Sequence, residues 1–218
     1  MNIKLDESKI KIIRFGDEMY PQKLKNIYSK PQELYIIGNE KILNDRAIAI
    51  IGCRNCTNYG AKNAYEFAYK LAKKGITVIS GFARGIDTYA HLGAIRAKGK
   101  TIAVLGCGLD VIYPKENERL YREILINDGA IITEYPLGTE PQKHHFPTRN
   151  RIISGLSDGV LVIEAKKRSG TMITVEHALD QGKDIYAIPG NITSDNSYGT
   201  NELIKEGAIP VTNIEDIV

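Results

Sequence analysis

Six short apolar runs recur along the chain after Arg46: Ala47–Ile51, Thr77–Ser80, Thr101–Leu105, Ala130–Thr133, Gly159–Ile163 and Asp184–Ala187. Polar residues scarcely interrupt them, so they predict strands covered on both faces, as in a parallel sheet. Amphipathic stretches lie between them. In Asn58–Lys74, the residues Ala64, Phe67, Ala68, Leu71 and Ala72 share one helical face, and Gly75 ends the helix. Further helices are expected over Asp87–Ala97, over Lys115–Asn127 behind Pro114, over Thr171–Gln181 before Gly182, and over Thr200–Glu206 before Gly207. Strand–helix alternation of this kind predicts an α/β, doubly wound, mainly parallel sheet spanning residues 46–218. Residues 1–45 differ. Pro21, Pro31 and Gly38 punctuate short elements at Ile10–Arg14, near Pro21–Asn26 and at Glu33–Ile37, which predicts a small N-terminal extension packed on the core.

Composition narrows the classes. With 43% apolar and 25% charged residues, the chain has the balance of a globular protein. None of its apolar runs approaches the length that crosses a bilayer, so no membrane partner is expected. The start, Met1-Asn2-Ile3-Lys4-Leu5-Asp6-Glu7, places no apolar stretch behind a basic one, and the 3 cysteines form no disulfide framework. The expectation is a cytoplasmic protein with reduced thiols. A net charge of +3 neither requires nor excludes a polyanionic ligand, so the placement of charge decides.

Chemistry in an open α/β sheet gathers beyond the carboxyl ends of the strands. Here those ends run into Gly52-Cys53-Arg54, Ser80-Gly81-Phe82-Ala83-Arg84-Gly85, Gly106-Cys107-Gly108, Arg168-Ser169-Gly170-Thr171 and Pro189-Gly190-Asn191. Glycine admits close backbone approach and helix N-termini offer free N–H groups, so the set predicts a phosphate-binding rim. The dinucleotide fingerprint G-x-G-x-x-G is missing after the first strand, and no NAD or FAD cofactor is expected. The segment His144-His145-Phe146-Pro147-Thr148-Arg149-Asn150-Arg151 offers forked phosphate donors and a ring on which a base can stack. Arg149 and Arg151 cannot share a helix face, so one of them is expected to reach a given phosphate. Lys166-Lys167-Arg168 is expected to converge on the same rim, and His144 and His145 stand beside it.

These motifs resemble the DprA (Smf) family of DNA-processing proteins. Gly52-x-Arg54 with Tyr59-Gly60 is similar to the family's first motif, and Ser80 to Asp87 with Ala90-His91 to its second. Ala103 to Asp110 with Tyr113-Pro114 resembles the third, and Phe146-Pro147-x-Arg149-Asn150-Arg151-Ile152-Ile153 the most diagnostic signature. Glu164-Ala165, Ser169-Gly170-Thr171, Pro189-Gly190 and Gly199-Thr200-Asn201 follow in the family's order, so the match runs from about Ile10 to the C-terminus. The resemblance implies an extended Rossmann-like fold, single-stranded DNA as ligand, the RecA recombinase as partner in natural transformation, a homodimer, and no catalysis. It carries DNA-binding roles onto Arg54, Gly81, Arg84, Lys115, Phe146, Arg149, Asn150, Arg151, Ser169, Gly170 and Thr171. Of these, Arg54 and Lys115 are the expected phosphate contacts and Phe146 the stacking ring. The family's helical N-terminal domain and winged-helix C-terminal domain are not expected within these 218 residues beyond the core. Cys53 departs from the small hydroxyl residue usual at its position.

Other residues suggest competing chemistry. Cys53-x-x-Cys56 has redox or zinc spacing, yet lies on a glycine-bearing loop that the resemblance already explains. His91 is expected to be a packed helix residue. The alternative function is a nucleotide-binding protein or a nucleotide phosphoribohydrolase of the LOG type, in which Gly170-Thr171 and a nearby Glu176 would cleave an N-glycosidic bond. It requires the Glu176 carboxylate beside the ribose.

Overall fold

A computed structural model describes residues 5–218; the Met1–Lys4 start, considered above for a leader signal, lies outside the described residues. The strands are β1 (Ile10–Arg14), β2 (Glu33–Gly38), β3 (Ala47–Gly52), β4 (Thr77–Ser80), β5 (Thr101–Val104), β6 (Ala130–Thr133), β7 (Gly159–Glu164), β8 (Asp184–Ala187) and β9 (Ile209–Pro210). The α-helices are α1 (Asn58–Lys73), α2 (Ile86–Arg96), α3 (Glu118–Ile126), α4 (His145–Leu156), α5 (Gly170–Asp180) and α6 (Tyr198–Lys205). All nine strands form one sheet in the order β1-β2-β6-β5-β4-β3-β7-β8-β9. From β6 to β9 the pairing is parallel, while β1 and β2 run antiparallel. The fold is α/β and Rossmann-like, as expected.

Alternation within the apolar runs explains the layers. Ile48 and Ile50 of β3 face α1 and α2, packing with Phe67, Leu71, Ile86 and Ala90. Ala47, Ala49 and Ile51 face the other way, with Ile152, Ile153 and Leu156 of α4 and Val175 and Ala178 of α5. Val160 and Val162 of β7 join the second group, Leu161 and Ile163 the first. Each such side chain contributes about 1.5–3 kcal/mol on full burial, so a sheet covered on both sides needs uninterrupted apolar runs. Helix α1 begins at Thr57, whose hydroxyl accepts from Gly60 N, and stops before Gly75, which adopts φ +76°.

Two elements depart from the sequence expectation. The first 45 residues do more than pack on the core. Strand β2 pairs with β6, and Tyr20 and Leu24 are fully buried in the layer beneath α4. Residues 145–156, missing from the helices expected above, form a full helix, and most of its side chains, polar ones included, are buried.

Chain order reverses at the centre of the sheet. From β3 the chain steps through β4 and β5 to β6 on one side, then returns to β7 on the other flank of β3 and continues to β8 and β9. A crevice opens at such a switch point, beyond the carboxyl ends of β3 and β7.

Candidate functional site

That crevice holds a cleft of about 670 Å³. Its walls come from the loop after β3 (Gly52, Cys53, Arg54, Asn55), from α4 (Phe146, Arg149, Asn150), and from the approach to α5 (Lys166, Arg168, Ser169, Gly170, Thr171). A smaller recess adjoins it, bounded by Gly81, Arg84, Gly106, Tyr113 and Pro114, and sharing Arg54, Phe146 and Arg149 with the cleft. The strand-end loops are locked together by close backbone approach. Gly85 has φ +73°, and a Cβ there would run into the carbonyl oxygens of Cys53 and Arg54, so only glycine fits between the two loops. Ile86 N then donates to Cys53 O at 3.2 Å, fixing the backbone from which Arg54 projects.

Arg54 is exposed, and its guanidinium lies 5.4 Å from the centroid of the half-buried Phe146 ring. Arg149 approaches the same ring at 6.0 Å, and Tyr113 stands at 5.5 Å with its ring inclined by 37°. Phe146 is thus an aromatic platform with two cations beside it. The two arginines differ in their freedom. Arg149 is buried, donates from Nη1 to Gly81 O at 2.7 Å and to Val104 O, and donates from Nε to Asn150 Oδ1 at 3.3 Å. Burial pushes its pKa down to about 10, opposed chiefly by the Asp87 carboxylate, so it stays charged at neutral pH. A Cβ on Gly81 would lie 2.8 Å from Asp87 Oδ2 and 2.9 Å from Arg149 Nη2, so glycine leaves room for both side chains. Burial pushes the Asp87 carboxyl up despite Arg149.

The N-terminus of α5 faces the cleft from the opposite wall. Ser169 stands at its N-cap with no capping bond, and its Oγ is enclosed without a partner. Gly170 is exposed, and a Cβ there would meet nothing within 4 Å, so the first turn is open. Thr171 is 8% exposed and lines the cleft. Asn150 Nδ2 donates to Gly170 O at 3.4 Å, tying α4 to this turn. Free helical N–H groups, a hydroxyl without a partner and the cations Arg54, Lys143, Lys166 and Arg168 together make an anion-binding wall.

Several expected residues lie elsewhere. Arg151 points to the far side of α4, where it pairs with Glu134 at 2.6 Å and donates to Ser29 O at 2.7 Å; it does not line the cleft. Lys115 is exposed beside Pro114 and lines neither cleft nor recess. Arg84 reaches the recess, with its guanidinium 2.5 Å from Glu116. His144 is exposed, whereas His145 is buried, stacks on Tyr135 at 4.0 Å and has Nδ1 3.1 Å from Gly106 O. Lys167 turns out of the cleft and sits 5.2 Å from the Tyr198 ring centroid. Residues absent from the expected set are Tyr113, Asp87 and Lys143. Tyr113 was visible in its Tyr-Pro motif, whereas Lys143 carried no signal beyond its nearness to His144.

Competing chemistry can be placed in the same way. Glu176 is exposed on α5 and does not line the cleft, so its carboxylate is not beside any ribose held there. Glu164 is buried and fully engaged, accepting from Thr57 N at 3.0 Å, Thr57 Oγ1 at 2.5 Å and Asn196 Nδ2 at 3.2 Å. Cys53, Cys56 and Cys107 are free thiols, and burial pushes all three pKa values up, the opposite of an activated thiolate. Among the described residues, no three His, Cys, Asp or Glu side chains stand together as a metal site, and no helix is long and apolar enough to cross a membrane. His91 is fully buried. Thr101 Oγ1 donates to Val78 O, so the 2.7 Å contact from His91 Nδ1 must be a donation to that hydroxyl, leaving Nε2 unprotonated and without a partner.

A family model for DNA recombination-mediator protein A matches residues 11–218, nearly the whole chain and every loop of the cleft. The chain belongs to the DNA recombination-mediator protein A family. Among its relatives, DNA processing protein DprA of Streptococcus pneumoniae is 46% identical over 202 residues, covering 93% of this chain and 71% of that protein. A solved structure of the pneumococcal protein aligns with a TM-score of 0.91 at 45% identity, over 96% of this chain and 73% of that one. Protein Smf of Escherichia coli is 42% identical over 98% of this chain, which spans only 57% of the Smf length. A structure of DNA processing protein A from Helicobacter pylori, concerned with that protein's single-stranded DNA binding mode, aligns with a TM-score of 0.86 at 32% identity, covering 95% of this chain and 93% of that one.

Proposed function

We propose that this protein binds single-stranded DNA across the carboxyl ends of β3 and β7, without catalysis, and presents it to a RecA recombinase. The observation that carries the proposal is the cleft itself. An aromatic platform flanked by Arg54 faces an open helix N-terminus, so a base and a phosphate can be held together. Arg54 supplies the movable charge and Ser169, Gly170 and Thr171 the neutral donors, while the buried Arg149, bonded to Gly81 O and Val104 O, holds the platform in place. Arg84 joins when it exchanges Glu116 for a phosphate. Phosphates and ring faces are common to all sequences, so little base preference is expected. The family's homodimer, cytoplasmic site of action and role in transformation belong to the same proposal.

Fluorescence anisotropy with labelled oligo-dT, at two salt concentrations and against duplex of equal length, tests it. Expected is salt-dependent binding that favours the single strand, weakened about fivefold or more by Phe146→Ala, since stacking is worth about 1–3 kcal/mol per base. Equal binding to duplex, or none at low salt, would overturn it.

A further inference from the structure

The cleft does not end at its basic wall. Residues 166–168 form a rim segment between β7 and α5, here called the ridge; all three are exposed, and among the described residues none of Lys166, Lys167 and Arg168 pairs with a carboxylate. Lys166 and Arg168 line the cleft on one side. On the other side the start of α6 is pressed against the base of the ridge. Ala165 N donates to Asn196 O at 2.8 Å, Gly199 N donates to Ala165 O at 2.7 Å, and a Cβ on Gly199 would lie 2.8 Å from Ala165 Cβ. This docking puts Tyr198 beside the ridge, 41% exposed, with Lys167 Nζ 5.2 Å from its ring centroid. Ser197, next to Tyr198 in the chain, lines a further hollow of about 540 Å³ with Thr57, Tyr59, Gly190, Asn191, Ser194 and Glu164, whose buried carboxylate is taken up by Thr57 and Asn196. Tyr59 is half exposed there, and its hydroxyl donates to Pro189 O at 2.8 Å, which fixes the ring.

Accessible ring faces therefore stand in the cleft (Phe146), beside Lys167 of the cationic segment that lines the cleft (Tyr198) and in the hollow (Tyr59). Alternating cations and aromatic faces suit a flexible polyanion whose bases can turn onto rings, and a single nucleic-acid strand has that chemistry. Duplex has its ring faces stacked away and cannot use them. We infer that single-stranded DNA leaving the cleft crosses the Lys166–Arg168 ridge and continues onto Tyr198 and the hollow lined by Ser197, so that Lys167 and Tyr198 form a second, sequence-tolerant subsite. This rests on the proposed function of the cleft and extends it.

The test separates the two. Wild type, Lys167→Ala, Tyr198→Ala and the double variant are titrated with oligo-dT from about four to about sixteen nucleotides, the range over which single-strand sites fall. Expected is wild-type affinity that rises beyond the length filling the cleft. The double variant should match wild type on the shortest strand that binds, lose about tenfold on the longest, and show a salt slope there reduced by about one. Thermal melting and light-scattering mass of each variant are measured alongside. An identical length dependence in wild type and double variant overturns the subsite. Equal losses at every length overturn it too, by placing both residues in the cleft. A halved mass in Tyr198→Ala would mean that the ring joins two copies of the chain, which also overturns it. Absence of binding by wild type at all lengths would remove the cleft proposal and this extension together.

Discussion

Arg54 and Arg149 flank one ring, yet their surroundings assign them different work, and substitution should separate the roles. Arg149 is buried beside the Asp87 carboxylate and satisfies the carbonyls of Gly81 and Val104. Arg149→Met keeps the length of the side chain while removing the charge and every donor. Two buried carbonyls then lose a partner at about 1–3 kcal/mol each, and the buried Asp87 carboxyl loses a nearby favourable charge to which it is not directly bonded. These overlap, and Asp87 can escape part of the penalty by taking up a proton. A net loss of about 3–5 kcal/mol is expected, readable as a shift of the urea midpoint at unchanged slope. Arg54→Ala removes a surface side chain with no fixed partner, and stability should change by less than about 0.5 kcal/mol. Oligo-dT binding should respond in the opposite order. Arg54→Ala is expected to lower the salt slope by about one, as for one lost phosphate contact. Arg149→Met, measured where it remains folded, should weaken binding through distortion of the platform more than through the slope. The reasoning is refuted if Arg149→Met melts like wild type while its salt slope falls as in Arg54→Ala. Arg149 would then be a phosphate ligand and its carbonyl bonds incidental. Asp87→Asn combined with Arg149→Met should recover part of the lost stability, since no unpaired charge is left behind.

Three further outcomes follow from single contacts. Burial pushes the His91 pKa down to about 3 from an ordinary 6.5, so between those values the unfolded chain binds a proton that the folded protein refuses; stability should fall by about 1.4 kcal/mol per pH unit on acidification through that window, and urea titrations of His91→Gln should show a flatter acid limb, the opposing slope of Asp87 being common to both proteins. A Cβ on Gly60 would collide with the Glu164 carboxylate, which is held by Thr57 and Asn196; Gly60→Ala should cost about 1–3 kcal/mol in chemical denaturation, and a fully stable variant would show that α1 can shift without penalty. Glu116→Gln releases Arg84 from its exposed ion pair and should tighten oligo-dT binding at low salt, with the gain vanishing as salt screens it; unchanged low-salt affinity would remove Arg84 from the interface.

How far the site could be foreseen depends on what each residue's partner is. Strands β3 to β8 were legible because burial on two faces leaves little but apolar residues, as in Val160 to Ile163. The cleft's position followed from the glycine-rich strand ends, since only glycine fits where loops cross as Gly85 does over Cys53 and Arg54. Helix α4 was not legible from an apolar stripe. It is enclosed on nearly every side, and its buried His145, Arg149, Asn150, Arg151 and Ser154 erase the apolar stripe that marks a surface helix. Local spacing separated Arg149 from Arg151, because residues two apart do not share a helix face. Which arginine would face the cleft was decided by Glu134, Ser29, Gly81 and Val104, all distant in sequence. Strand β2 pairing with β6 is likewise a long-range choice that composition does not express.

The pairing of β2 with β6 also bears on how the polypeptide withstands cutting. A protease that severed the chain between Asn39 and Arg46 would leave two pieces still joined by a backbone ladder and by Tyr20 and Leu24 lodged beneath α4. Lys23 adds a tether, its Nζ 2.8 Å from Asp158 on the far fragment. Such a nicked protein should remain a single particle through gel filtration and part only on denaturation, the amino-terminal piece behaving as a subunit made from the same chain. Removing that piece altogether would strip one edge from β6 and uncover the layer beneath α4, the helix that carries Phe146 and Arg149, so β1 and β2 guard a cleft whose walls they do not line.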